Sequence, residues 1–204
     1  MKLEGAGIII EIKPFDDRDC TARIFTDAHG VLCGIFRGGL TAKTKPLLGQ
    51  FGQVSWNARL ESHLGQFHFE NERNMTAGFF NTPDKLKFAN ACLALLATML
   101  PERERYKRLW DETLILLTEA NRDEYLKWEL CLLAELGYGL SLERCGNCGR
   151  TADLQYISPK TGRAVCGTCG DGWRDKMFKM PADLGTTGHF LEQVRELPPA
   201  RRII

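Results

Sequence analysis

Val54-Ser55-Trp56-Asn57-Ala58-Arg59-Leu60 alternates apolar and polar side chains, which puts Val54, Trp56, Ala58 and Leu60 on one face of an extended chain. A half-buried strand has this period of two because successive side chains point to opposite faces of a sheet. Four more short strand-like runs lie around it, at residues 7–12, 20–26, 31–36 and 64–69. Turn residues separate them: Asp16-Asp17-Arg18-Asp19, Asp27-Ala28-His29-Gly30 and Glu61-Ser62-His63, with a longer loop from Gly38-Gly39 through Lys43, Lys45 and Pro46. Five strands in under 80 residues predict a small barrel, and the five-stranded OB-fold is the leading architecture for one.

From Thr82 the period becomes helical. Thr82 suits an N-cap and Pro83 the first helical position, and Leu86, Ala89, Leu93, Leu96 and Leu100 recur every three or four residues until Pro101 ends the run. Tyr106, Leu109, Trp110, Leu114 and Leu117 predict the apolar face of a second helix. Leu126, Leu130, Leu133 and Leu136 predict a third, closed by Gly137. Phe190, Leu191 and Val194 mark a further short helix that Pro198-Pro199 ends. The expected class is α+β, with an OB-fold domain at 1–78, a helical domain at 79–140 completed by 182–204, and a cysteine-rich insertion at 141–181.

With 204 residues, 44% hydrophobic and 26% charged, the chain has enough apolar surface for a core, and disorder throughout is excluded. The net charge of +1 advertises neither nucleic acid nor membrane, so any polyanion site must be local. The longest mostly apolar run, 91–100, is half of the about 20 residues a membrane span needs. An early acid at Glu4 and the brevity of Ile8-Ile9-Ile10 argue against an export signal, so a soluble cytoplasmic protein is expected. In such a reducing compartment paired cysteines mean metal or redox chemistry rather than disulfides.

The pairs are Cys145-Gly146-Asn147-Cys148-Gly149 and Cys166-Gly167-Thr168-Cys169-Gly170, a C-x2-C-x17-C-x2-C spacing. Four thiolates on two tight turns suit a tetrahedral zinc ion, and glycine serves where the backbone bends closely around sulfur. Between the pairs, residues 154–157 and 163–165 flank Ser158-Pro159-Lys160-Thr161-Gly162, so a hairpin would return the second pair to the first. One structural zinc per chain, held by Cys145, Cys148, Cys166 and Cys169, is the expectation. Four protein ligands leave no open position for catalysis. A thioredoxin-like redox pair would open a helix after a strand, and neither pair is expected to do so. Cys20, Cys33, Cys92 and Cys131 read as small buried hydrophobes, and His29, His63, His68 and His189 lack metal-ligand spacing.

Between Asp27 and Glu61 no acid occurs, while Arg37, Lys43, Lys45 and Arg59 carry +4. Basic loops on a small barrel suit a phosphodiester backbone, so these four are the expected nucleic-acid residues. Phe36, Phe51, Trp56 and Phe67 are able to stack on bases, although alternation also assigns several of them to the core. Residues 141–204 carry a further +3. Enzyme signatures fail. Ala42 stands where a phosphate loop needs glycine before Lys43, Gly5-Ala6-Gly7 lacks the third glycine of a dinucleotide fingerprint, and neither Gly-x-Ser-x-Gly nor His-Glu-x-x-His occurs. A non-enzymatic DNA-binding protein is expected. The rivals are a zinc-ribbon RNA-binding factor and a protein-interaction adaptor without DNA contact.

With these parts laid out, the chain resembles the RecO family of bacterial recombination mediators. The resemblance rests on Phe25-Thr26-Asp27-Ala28-His29-Gly30, Arg37-Gly38-Gly39, Trp56-Asn57-Ala58-Arg59-Leu60, Leu100-Pro101-Glu102-Arg103-Glu104, Glu129-Leu130, residues 133–140, and residues 156–165, in that order. It implies an OB-fold, a helical domain and a zinc-finger-like insertion. It also implies that the protein binds single- and double-stranded DNA, anneals complementary strands and helps load recombinase, near the nucleoid. RecR and the acidic C-terminal tail of the single-stranded DNA-binding protein are the implied partners. For that tail, Arg103, Arg105 and Arg108 are the expected carboxylate contacts, with Leu109 and Leu117 as groove walls. The family does not always keep four cysteines, so zinc is inferred from this sequence itself.

Overall fold

The computed structural model describes residues 1–41, 45–60 and 64–204. Its first five strands are β1 (Lys2–Pro14), β2 (Cys20–Thr26), β3 (Gly30–Phe36), β4 (Gln50–Asn57) and β5 (Gly65–Asn74). They pair in the order β1-β2-β3-β5-β4, and β4 pairs back to β1, which closes a barrel. All pairings are antiparallel except β3 with β5. The barrel core joins Ile9, Ala22, Ile24, Leu32, Val54, Trp56 and Phe67. Val54 and Trp56 therefore point inward as their alternation predicts.

β4 differs from the expected 54–60 at both ends. It begins at Gln50, where β1 and β5 supply ladder partners to residues that show no alternation, and it ends at Asn57, paired with the first residue of β1. Leu60 lies beyond it, exposed. Ile8, Ile9 and Ile10 are buried in a row because β1 is covered on both faces. Ile9 fills the barrel, and helix α1 (Pro83–Met99) packs against the strand. α2 (Lys107–Glu119) adds Trp110, whose ring meets Phe25 of β2 edge-on at 5.4 Å.

The segment between α1 and α2 is clasped to the β2–β3 hairpin. Arg23 donates to the Leu100 carbonyl at 2.9 Å, the Arg103 amide donates to the Val31 carbonyl at 2.9 Å, and Arg105 Nε donates to the Asp27 carbonyl at 3.2 Å. Gly30 makes this approach possible. It sits at φ +66°, and a Cβ there would lie 1.8 Å from the Glu104 carbonyl oxygen.

Two compact units result, one of Met1–Asn121 with Pro198–Ile204, the other of Arg122–Leu197. The boundary falls between α2 and α3 (Arg122–Glu135), inside the stretch expected as one helical layer. In the second unit, β6 (Leu154–Ile157), β7 (Ala164–Cys166), the single turn α4 (Gly167–Gly170) and β8 (Phe178–Lys179) form the cysteine-rich module, with strand order β7-β6-β8. α5 (Leu184–Val194) packs on α3, opened by a capping box between Asp183 and Thr186. α6 (Pro199–Arg202) returns to α1 in the first unit.

The buried side of α3 is not the expected leucine stripe. Tyr125, Trp128, Glu129, Cys131, Leu132 and Leu133 are buried, while Leu126, Leu130 and Leu136 are only partly so. The larger aromatic rings set the orientation, since each buries more area than a leucine. The buried Glu129 is met by the Thr187 hydroxyl of α5, which donates at 2.5 Å. Among the described residues no helix is long and apolar enough to cross a membrane.

Candidate metal centre and nucleic-acid interface

The first cysteine pair forms a tight turn in which the Gly149 amide donates to the Cys145 carbonyl at 2.9 Å and the Cys145 amide to the Arg150 carbonyl at 2.7 Å. Gly149 takes φ +76°, a left-handed position that glycine fills without strain. The second pair arrives through the expected hairpin. β6 and β7 are joined at Ser158–Gly162, where the Ser158 amide donates to the Arg163 carbonyl at 3.0 Å, and Leu154 pairs with Cys166. The expectation that neither pair opens a helix after a strand is corrected, because Cys166 ends β7 and caps α4. That helix has one turn, and its sulfurs turn toward the other pair.

All four sulfurs, of Cys145, Cys148, Cys166 and Cys169, lie within 4.8 Å of one another, and Cys148 Sγ stands 3.7 Å from Cys166 Sγ. No disulfide joins them. A Zn–S bond of about 2.3 Å in a tetrahedron separates its sulfurs by about 3.8 Å, so the spacing fits a metal ion. Burial pushes the Cys145 thiol up, but backbone amides of Cys148, Cys166 and Asn147 outweigh it and bring the thiol down to about 6. At Cys169 the Asn147 amide, 3.3 Å from sulfur, favours the thiolate. The sulfurs of Cys166, Cys148 and Cys145 outweigh it and push the thiol up to about 11. Four sulfurs this close repel one another as thiolates, and a bound cation relieves that repulsion. Of the other cysteines, Cys20, Cys92 and Cys131 are buried as expected. Cys33 is half-buried, its thiol pushed up to about 12 by burial and by a hydrogen bond with Glu102.

The basic residues of the barrel divide. Arg37 and Lys45 line one cleft of about 250 Å³ together with Phe36, Gly39, Pro46, Gln50, Phe69 and Asn71. Lys43 lies outside the described residues. Arg59 follows the far end of β4 and is exposed, eight-residue β4 separating it from Gln50 at the cleft. Gln50 holds the loop beside the cleft by accepting the Leu47 amide at 2.9 Å. Of the four aromatic rings named from sequence, Trp56 and Phe67 are core, Phe51 is half-buried under the Arg73 guanidinium, and Phe36 reaches the cleft. Phe69 and Asn71 were missed as lining residues. Their signal was the two-residue spacing that puts both on one face of a β5 longer than its apolar run.

Arg37 is also anchored. Its guanidinium meets Asp19 Oδ2 at 2.6 Å, and Asp19 Oδ1 accepts the Gly38 amide at 2.7 Å. The Asp19 side chain is 9% exposed against 61% for Arg37. Arg37→Ala strips a mostly buried carboxylate of its cation, and a loss of about 1–2 kcal/mol in urea unfolding is expected. An unchanged midpoint would show the pair to be a solvated one.

The three arginines expected at a partner groove are engaged differently. Arg103 lies over the Trp56 ring at 4.7 Å, Arg105 bonds the Asp27 carbonyl, and Arg108 is exposed beside a Lys107–Asp111 ion pair of 2.5 Å. Leu109 and Leu117 are corrected: both are fully buried core, because the α2 stripe that carries them is the one that packs inward. In the second unit, Ser141, Arg144, Gly146, Thr161 and Arg163 line another cleft, of about 580 Å³, beside Cys145.

A closed five-stranded barrel with accompanying helices and a four-cysteine module able to hold a metal defines the class as a mixed α+β protein of modular build. Comparison with known proteins names the family. Residues 81–188 match the family model described as "Recombination protein O C terminal". The DNA repair protein RecO of Cereibacter sphaeroides is 37% identical over 98% of this chain and 91% of its own length. That of a Ruegeria species is 37% identical with the same coverage, and that of Rhodopseudomonas palustris is 33% identical over 93% of this chain and 80% of its own. The chain belongs to the RecO family of DNA repair proteins, which is not a family of enzymes.

Proposed function

We propose that this protein is a cytoplasmic, nucleoid-associated recombination mediator that holds single- and double-stranded DNA electrostatically, anneals complementary strands and helps load recombinase. The barrel at 1–78 acts as an OB-fold, a reading supported by the strand order β1-β2-β3-β5-β4 closing on β1. A helical part is assigned to 79–140 with 182–204, and the module at 141–181 is stapled by one structural zinc ion on Cys145, Cys148, Cys166 and Cys169. No bond is made or broken. One strand lies along the barrel cleft and a second on the arginine-lined surface of the module, and their local concentration speeds pairing. RecR and the acidic tail of the single-stranded DNA-binding protein are the partners, with Arg103, Arg105 and Arg108 the residues to test for the tail.

The observation that carries this reading is the convergence of Arg37 and Lys45 with Phe36 and Phe69 on one barrel cleft, cations for phosphates beside rings for bases. Lys43 and Arg59 are proposed as further DNA-contacting cations, Arg59 at the end of β4 away from the cleft. Affinity for single-stranded DNA is expected to fall steeply with salt. The triple substitution Arg37→Ala, Lys43→Ala, Lys45→Ala should flatten the slope of log affinity against log salt by up to about two units, at about 0.7 per phosphate contact. A slope unchanged in the variant would move DNA off this cleft. Salt-independent behaviour of the parent protein would favour an adaptor instead, and tighter binding of RNA than DNA an RNA-binding factor.

A further inference from the structure

Four tryptophans occur in the chain, and three of them, Trp56, Trp110 and Trp128, are buried. Trp173 is 60% exposed. A tryptophan is the most costly side chain to leave in water, and this one does not stand on a frayed end. It sits in a 3-10 turn, Asp171–Lys176, that follows α4 two residues after the fourth cysteine and leads through Met177 into β8. Both ends of that turn are pinned to β6. The Tyr156 ring covers Gly170 on one side, and on the other Tyr156 pairs with Lys179 and Ile157 with Phe178, while the Met180 amide donates to the Gln155 carbonyl at 2.9 Å. Within the turn, Arg174 pairs with Asp171 and the Met177 amide donates to the Arg174 carbonyl. The indole is thus presented by a module whose own segments hold it.

Its surroundings are of mixed charge with a cationic excess: Asp171, paired with Arg174, and Asp175 are exposed beside it, and Lys176 and Lys179 outnumber the one acid left without that pairing. Lys176 Nζ lies over the Trp173 ring at 5.3 Å, and Arg174, Lys176 and Lys179 are all exposed within six residues of it. An apolar partner protein would have to desolvate the Lys176 ammonium over the ring in order to dock. A nucleic acid strand meets it with phosphates. We infer that Trp173 is a base-stacking platform of the cysteine module, taking one unpaired base of a single strand on its ring while Lys176 and Lys179 contact the flanking phosphates. This rests on the reading that the chain binds single-stranded DNA, and it gives the second strand a specific seat. Stacking on an aromatic ring tolerates any base, as annealing of arbitrary sequence requires.

Binding of a fluorescently labelled oligo(dT) to the full chain is read by anisotropy, and in parallel the intrinsic tryptophan emission is read with unlabelled strand. Stacking quenches the exposed indole, so emission should fall on binding, and the quench should disappear in Trp173→Ala. Affinity should drop about fivefold or more in Trp173→Ala and be largely retained in Trp173→Phe. An oligonucleotide of abasic residues should bind parent and Trp173→Ala alike, which a merely structural role for the ring would not produce. Metal content equal to the parent's shows that the variant module is intact. Anisotropy showing tight binding with no quench and no loss in Trp173→Ala overturns the platform and leaves DNA binding standing. Absence of binding by the parent overturns both. Loss of affinity for the abasic strand in Trp173→Ala assigns the ring to structure, and also overturns the inference.

Discussion

Elemental analysis of the purified protein is expected to return one zinc per chain, and the double substitution Cys148→Ser, Cys169→Ser to return almost none. The module's own apolar core is small: around the cysteines, Cys145, Val165 and Cys166 are buried, with Leu154, Tyr156, Cys169 and Met177 packed part-buried on them, and the hairpin adds Ile157 and Ala164. Segments this small do not fold on apolar burial alone, and structural zinc in such peptides contributes about 10–16 kcal/mol of apparent binding free energy near neutral pH. Removing one thiolate from each pair leaves two, too few to close a tetrahedral shell. Limited proteolysis should then cut within 141–181, while the barrel, with its own core of Ile9, Ile24, Leu32, Trp56 and neighbours, resists. Chelation of the parent protein should reproduce the cleavage pattern. Full zinc occupancy in the double variant would remove these cysteines from the metal, and iron in place of zinc would change the nature of the site.

Trp56→Ala is expected to cost the first unit about 3–5 kcal/mol, the range for deleting a large buried aromatic. That is a large share of the about 5–15 kcal/mol by which an ordinary domain is stable. Trp56 is fully buried in the barrel, its Nε1 donates to the Cys33 carbonyl at 2.8 Å, and Arg103 lies over its ring. Truncation therefore opens a cavity, strands a carbonyl and removes the surface on which a cation rests. Trp56→Phe should cost distinctly less, since it keeps most of the volume and loses chiefly the hydrogen bond. The unfolding midpoint in urea measures both. Equal costs for the two variants would mean that the hydrogen bond, rather than the ring volume, carries the effect.

β2 was legible to the residue because turn signals mark both its ends, Asp16 to Asp19 before and Asp27 to Gly30 after. α1 was legible because Thr82-Pro83 opens it and Pro101 follows its end. The cysteine site was legible because its four cysteines sit on two local turns joined by one short hairpin, so spacing along the chain nearly determines spacing in space. These are short-range features, in which the residues that decide the geometry are neighbours in sequence. β4 was misjudged at both ends because a strand's limits follow the ladder partners offered by β1 and β5, which its own residues do not encode. The α3 stripe was read off centre, with Leu133 buried and Leu126, Leu130 and Leu136 only partly so, because a leucine count ignores the larger area of Tyr125 and Trp128 and because its partner α5 lies some fifty residues on. Leu109 and Leu117 fitted a groove or a core equally well as letters, and packing made them core. The basic run 37–59 carried its charge openly, but folding set Arg37 and Lys45 beside Phe69 and Asn71 and left Arg59 at the far end of β4. Which tryptophan faces water is equally a property of the packed molecule. Composition and local spacing determined the class of fold and the four-cysteine cluster able to hold a metal. Only the tertiary structure, through contacts between residues distant in the chain, decided which side chains are spent on the core and which are left to meet a ligand.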